Sequence, residues 1–174
     1  TNQRAMEIFR DLGIEQQVLA EAVPHHLMGD TVFCTSLTGE ELGRMHTWGT
    51  SPERHADYES ASPTLNCDIP QNLLEPILIR TAAERGAVVR FSTEFISFEQ
   101  DDDGVTALMR DRLTEEDFHI RAKYLLGADG ARSIVAAQAC LQYEGKMDIA
   151  GSMNITFKAD LSHLVAHRPS VLYW

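Results

Sequence analysis

Tyr124-Leu125-Leu126-Gly127-Ala128-Asp129-Gly130-Ala131-Arg132-Ser133 reads as an apolar strand that stops at a Gly-rich, acidic turn and then opens a helix. The run from Tyr124 to Leu126 has the continuous apolar character of a parallel strand covered on both faces. In open α/β sheets a ligand sits beyond the carboxyl end of such a strand, where the free N–H groups of the next helix can hold an anion. Gly127 and Gly130 allow a tight turn and a close approach of backbone to ligand. The same residues suit an ordinary strand-to-helix turn with Asp129 or Ser133 capping the helix. Spacing alone does not choose between the two.

Upstream, Met6, Ile8, Phe9 and Leu12 fall at helical spacing over residues 3 to 12, and Gly13 supplies a stop. A second short helix spans about Glu15 to Ala22 and ends before Pro24. Thr31 to Thr35 and Leu42 to Trp48 are β-rich and flank Thr38-Gly39-Glu40, a hairpin signal. Residues 49 to 63 are polar with two prolines and predict a loop. A helix is predicted from Pro70 to Arg85, stopping at Gly86, with a kink or break at the internal Pro76. Ala87 to Ser92 predicts a strand. A meander follows: Glu94 to Glu99, the turn Asp101-Asp102-Asp103-Gly104, Val105 to Asp111, a turn near Thr114, and Phe118 to Leu126. The Asp-rich turn lacks the Glu and further oxygen ligands of a Ca²⁺ loop and reads as a solvated hairpin tip. Ser152 to Asp160 alternates as a strand.

Acidic residues outnumber basic ones 26 to 15, giving a net charge of −11. That balance argues against a nucleic-acid or anionic-membrane partner, since both need a basic face. An apolar share of 44% and a mean hydropathy of −0.21 are those of a globular domain, with no apolar run of membrane-spanning length and no signal peptide. Cys34, Cys67 and Cys140 share no metal-ligand spacing and read as reduced, buried thiols of a cytoplasmic protein. His25-His26 is half a metal site without further ligands, so no metal is expected. No GxSxG, HExxH or activated cysteine points to covalent or metal-assisted hydrolysis.

The Tyr124–Ser133 stretch resembles the Asp-Gly motif of the single-component FAD-dependent aromatic hydroxylases, in which NAD(P)H reduces the flavin. Two further segments resemble that family in the same order. Thr1 to Ile14 is similar to the helix after the first dinucleotide-binding unit, and Asp68 to Leu78 to the Pro-Gln helix that closes over the flavin. Within the family the wording is most similar to the chlorophenol and phenol 6-monooxygenases, and the ending from Gly151 to Trp174 adds to that impression. The resemblance implies an α/β fold: part of a doubly wound FAD-binding fold with an antiparallel meander, plus part of a β-rich substrate domain. FAD-domain pieces are expected at 1–23 and 67–150, and substrate-domain pieces at 24–66 and 151–174. The family's GxGxxG turn and its later Gly-Asp motif are not among these residues, and the chain begins at Thr1. The expectation is therefore an internal piece of a longer enzyme, inactive and weak in FAD binding by itself.

The resemblance also assigns residues. Arg4 matches an arginine on the flavin's pyrophosphate side, a role that suits a guanidinium with two parallel donors; a surface pair with Glu7 is the plainer alternative. Gln71 matches a glutamine that hydrogen-bonds the cofactor, and Asp129 with Gly130 the motif near pyrophosphate and ribose. An Asp beside a diphosphate calls for a hydroxyl or water contact. Ala136 stands where the family often has an arginine tied to NAD(P)H handling, a role that does not transfer to Arg132. His46, Trp48 and Asn154 are candidates to line the aromatic pocket, with sheet packing as the alternative.

The activity implied is hydroxylation of a phenol or chlorophenol ortho to its hydroxyl, with FAD, NADPH or NADH, and O₂, through a flavin C4a-hydroperoxide that must be kept dry. The phenol needs a base near neutral pH, and the sequence does not locate one. A salicylate-type, resorcinol-type or polyketide hydroxylase of the same fold is one alternative; a catalytically inactive FAD-fold module is another. Self-association into a homo-oligomer is left open.

Overall fold

The computed structural model describes residues 1–146 and 149–174. Helix α1 (Gln3–Asp11) begins at Asn2, whose side-chain oxygen accepts the Ala5 N–H at 2.9 Å. It ends ahead of Gly13, which sits in the left-handed region at φ +70°. Helix α2 (Glu15–Glu21) follows, then a single 3-10 turn at His25–Leu27. Strands β1 (Asp30–Cys34) and β2 (Glu41–His46) pair antiparallel about the Thr38-Gly39-Glu40 tip.

Helix α3 (His55–Ala61) corrects the loop predicted for residues 49 to 63. It has no buried residue, and Arg54–Asp57 and His55–Glu59 pair along its surface at 3.4 and 3.3 Å. A helix without an apolar stripe gives no periodic signal. Helix α4 (Gln71–Glu84) runs through Pro76, so no break occurs there. Pro76 removes one backbone bond, while buried Ile77 and the flanking Leu73, Leu74 and Leu78 hold the helix on the core. Gly86, at φ +91°, supplies the stop.

Strands β3 (Thr93–Asp101), β4 (Gly104–Asp111) and β5 (Asp117–Ala122) form an antiparallel sheet in that order, followed by the short helix α5 (Ile134–Gln138). Helix α6 (Ser162–Val165) and strand β6 (Leu172–Tyr173) complete the elements. Three predicted strands are absent: residues 87–92, 124–126 and 152–160 are irregular. An apolar or alternating run becomes a strand only when a neighbour takes its backbone bonds, and no described strand lies beside these segments. Tyr124 and Leu126 are accordingly 84% and 90% exposed rather than covered on both faces. A doubly wound parallel sheet is likewise not formed among the described residues, whose only parallel strand pairing is β1 with β6.

The chain divides into two compact units, Thr1–Val88 with Thr156–Trp174, and Val89–Ile155. The first has a helical core of Met6, Phe9, Ile14, Val18, Cys67, Ile69 and Ile77. Beside it in the sequence, β1 is the central strand of a sheet ordered β2-β1-β6. Buried Arg168 donates to the carbonyls of Ser36 and Leu37 and so clamps the hairpin tip. In the second unit Gln138 ties α5 to the meander, donating to the Ile96 carbonyl at 2.8 Å and accepting the Phe98 N–H at 3.1 Å. Among the described residues no helix is long and apolar enough to cross a membrane.

Candidate functional site

Both alternatives for the Asp-Gly turn meet at Asp129. Its carboxylate accepts the Ser133 hydroxyl, the Ile134 N–H at 2.7 Å and the Val135 N–H at 3.3 Å, while Ser133 Oγ accepts the Ala136 N–H at 2.9 Å. The bond from Ser133, then those from the backbone, keeps the Asp129 carboxyl below its ordinary range. The N–H groups expected to be free for an anion are therefore occupied by the chain's own oxygens. Gly130 next to it is at φ +79°, and a Cβ built there would meet nothing within 4 Å, so its backbone faces open space. Gly127 serves packing instead: a Cβ there would lie 2.8 Å from Val135. Phe95, Met109, Ile120, Tyr124, Leu126 and Val135 help line an apolar cavity of about 350 Å³ that reaches Asp129.

Arg4 and Gln71 lie in the other unit, on α1 and α4 of one helical core. The Cys67 N–H donates to the Thr1 carbonyl at 2.9 Å, so Arg4 and Gln71 both follow within a few residues of one backbone junction. Arg4 Nη1 pairs with Glu7 at 2.7 Å, the surface pair weighed from the sequence, and the side chain stays largely exposed. Glu7 also accepts from Ser62 at 2.8 Å, so the carboxylate that steers Arg4 is itself held. Gln71 Nε2 donates to Glu75 at 2.6 Å one helical turn on. Among the described residues the other guanidinium N–H groups and the Gln71 side-chain oxygen meet no hydrogen-bonding partner.

His46 closes β2 directly opposite Asp30 of β1, and its Nδ1 lies 2.6 Å from Asp30 Oδ1. Asp30 Oδ2 accepts from Arg44 at 2.7 Å, and Arg44 grips Glu41 through two bonds of 3.0 and 2.9 Å. Arg44, and after it His46, hold the Asp30 carboxyl below the usual carboxylate range against a smaller opposing effect of burial. The sequence did not flag Asp30, Arg44 or Glu41, although Asp30 and His46 are equidistant from the hairpin tip at Thr38. Trp48 is not on the strand as predicted; it sits in the following turn at φ +54°, half-buried. Asn154 is exposed in an irregular segment of the other unit. The structure thus places Arg4 and Gln71 on helices of one unit and Asp129 beside Gly130 in the other, while Asn154 is not gathered with His46 and Trp48 in one unit.

A dinucleotide needs cationic donors for its phosphates, amide partners for sugar or ring, and backbone free to approach closely. In one unit Arg4 keeps unpartnered guanidinium N–H groups and Gln71 a free carbonyl oxygen; in the other, Gly130 has open backbone. The family model described as an FAD binding domain matches residues 1–174. The chain is 62% identical over 174 residues to a 2,4-dichlorophenol 6-monooxygenase of Delftia acidovorans, and covers all of this chain but 30% of that enzyme. It is 63% identical over 172 residues to a phenol 2-monooxygenase of Pseudomonas sp. (strain EST1001), 99% of this chain and 26% of that one. Its fold matches the flavin-dependent monooxygenase PieE, solved in complex with FAD and substrate, with a TM-score of 0.89 and 45% identity over 99% of this chain and 30% of PieE. The chain therefore spans less than a third of these relatives. It belongs to the FAD-binding aromatic hydroxylases of the p-hydroxybenzoate and phenol hydroxylase-like family.

Proposed function

We propose that this chain is part of a flavoprotein monooxygenase that hydroxylates a phenol or chlorophenol ortho to its hydroxyl, using FAD, NADPH or NADH, and O₂. The observation that carries this reading is the likeness, over nearly all of this chain, to parts of two enzymes named for phenol and dichlorophenol. The flavin supplies the redox and oxygen-transfer chemistry, and the chain's own residues bind, orient and exclude water. Arg4 takes the pyrophosphate side, Gln71 supplies an amide, and Asp129 with Gly130 presents a rigid turn whose remaining contact is to a hydroxyl or water. His46, Trp48 and Asn154 belong to the substrate side.

The FAD-binding pieces are 1–23 and 67–150, the substrate-binding pieces 24–66 and 151–174. In support, the helical core joins residues on either side of the hairpin, and the β1–β6 pairing joins the hairpin to Leu172 and Tyr173. The test is to purify the full-length protein, record bound flavin by absorbance, and follow NADH and NADPH oxidation with phenol, 2,4-dichlorophenol and a polycyclic polyketide phenol. The reading expects catechols one oxygen heavier from the simple phenols. Turnover of the polyketide alone, or a flavin-free inert protein, would replace it with one of the two alternatives.

A further inference from the structure

We propose that Gln138 is a positioning residue: by pairing with the edge of β3 it fixes α5 and, through α5, the Asp129-Gly130 turn. The proposal rests on the flavin-binding reading above, which puts that turn against the nucleotide, and it names the side chain that holds the turn in place.

β3 is an edge strand of the meander, and its register with β4 slips between Phe95 and Ser97, which leaves Ile96 without a cross-strand partner. An edge strand presents N–H and C=O groups that no neighbouring strand takes. Gln138 takes two of them: its Nε2 donates to the Ile96 carbonyl at 2.8 Å, and its Oε1 accepts the Phe98 N–H at 3.1 Å. A primary amide carries the donor and the acceptor of a peptide group, so this side chain stands in for one residue of an absent strand. Two bonds to alternate residues of one strand fix direction as well as distance. Among the described residues they are the hydrogen bonds that join α5 to the sheet.

α5 has five residues, too few to hold itself in place. Its first turn is tied to the Asp-Gly turn: Asp129 accepts from Ser133, Ile134 and Val135, and a Cβ on Gly127 would lie 2.8 Å from Val135. Turn and helix therefore move as one piece, and Gln138 anchors the far end of it. Phe95 beside the bulge, Val135 on α5 and Asp129 line one apolar cavity, so a shift of α5 along β3 would also displace a wall of that cavity.

The test uses the full-length holoenzyme with Gln138→Met, which keeps a long side chain without either hydrogen-bonding group, and Gln138→Ala as a second variant. Gln138 is exposed, so circular dichroism and the urea midpoint should stay near wild type. FAD affinity is read by dialysis and flavin fluorescence, and local opening by hydrogen exchange in peptides covering residues 129–139. Both variants should bind FAD roughly 5-fold more weakly and exchange faster over those peptides, as loss of these hydrogen bonds predicts. In an Asp129→Ala background the further effect of Gln138→Met on either readout should shrink to within about 2-fold, because the turn through which Gln138 acts is already loose. Losses that multiply in full in that background assign Gln138 to general stability and overturn the positioning role. Wild-type affinity and exchange in both Gln138 variants also overturn it, while the flavin reading stands. A full-length wild-type protein that binds no flavin overturns both.

Discussion

The carboxylate of Asp129 accepts the Ile134 N–H at 2.7 Å, so the acidic residue of the Asp-Gly turn also holds the first turn of the helix that Ser133 caps. An Asn side chain offers one acceptor oxygen there and Ala none. Asp129→Ala should therefore lower the urea midpoint, and Asp129→Asn, with one acceptor oxygen where Asp129 uses both, should lower it by less. Because the folded carboxyl titrates below its ordinary value near 3.9, its contribution is complete above that pH and is lost as pH falls through the folded value. Circular dichroism against pH should show the acid transition of wild type weakened in the Asn variant.

Arg4→Ala and Gln71→Ala, made in the full-length protein, should weaken FAD retention roughly 10-fold or more, as loss of a charge-assisted or amide contact does. The fold should survive, since an exposed i,i+3 pair such as Arg4–Glu7 adds little stability. Dialysis followed by flavin fluorescence reads the affinity, and wild-type retention in both variants would remove the cofactor assignments.

Asp30 gives a second acid-sensitive point. Its folded carboxyl is depressed, first by Arg44 and then by His46, so its stabilisation holds above about pH 4 and fades below. The melting temperature of Asp30→Asn should fall most at neutral pH and converge on wild type as pH drops through the depressed folded value. Parallel curves at every pH would contradict the ion-pair geometry.

The two turn glycines should respond differently. Gly130→Ala should cost about 1 kcal/mol from its left-handed backbone alone, since space is free around it. Gly127→Ala should displace Val135, and Val135→Ala should restore part of the loss in a double-mutant cycle. No such rescue is expected for Gly130.

Met6 is 1% exposed in the helical core, and Met6→Ala should cost about 2–5 kcal/mol in urea unfolding. The contrast with the exposed Arg4 two residues earlier separates loss of fold from loss of ligand.

Elements that carry their own apolar stripe were legible in the sequence. Met6 and Phe9 announce α1, and Ile77 with its leucine neighbours announces α4 despite Pro76. The meander strands were legible because turn residues Asp101 to Gly104 and the run near Thr114 punctuate them. Tyr124 to Leu126 and Ser152 to Asp160 were misread because a strand is a relation between segments, and sequence pattern reports only one of them. The site divides in the same way. Arg4, Gln71 and the Asp-Gly turn were singled out by resemblance, and the partners they have in the structure, Glu7, Glu75 and the start of α5, follow from helix spacing and capping. His46 was noticed for its side chain, whereas Asp30, which gives it direction, emerges only from hairpin register.

The parallel pairing of β1 with β6 joins Thr31 and Val32 to Leu172 and Tyr173. A nascent chain exposes the flank of β1 for the synthesis of well over a hundred further residues before its mate arrives. Until then that unguarded flank is a template for intermolecular zippering, and shortening the protein ahead of Arg168 makes the hazard permanent.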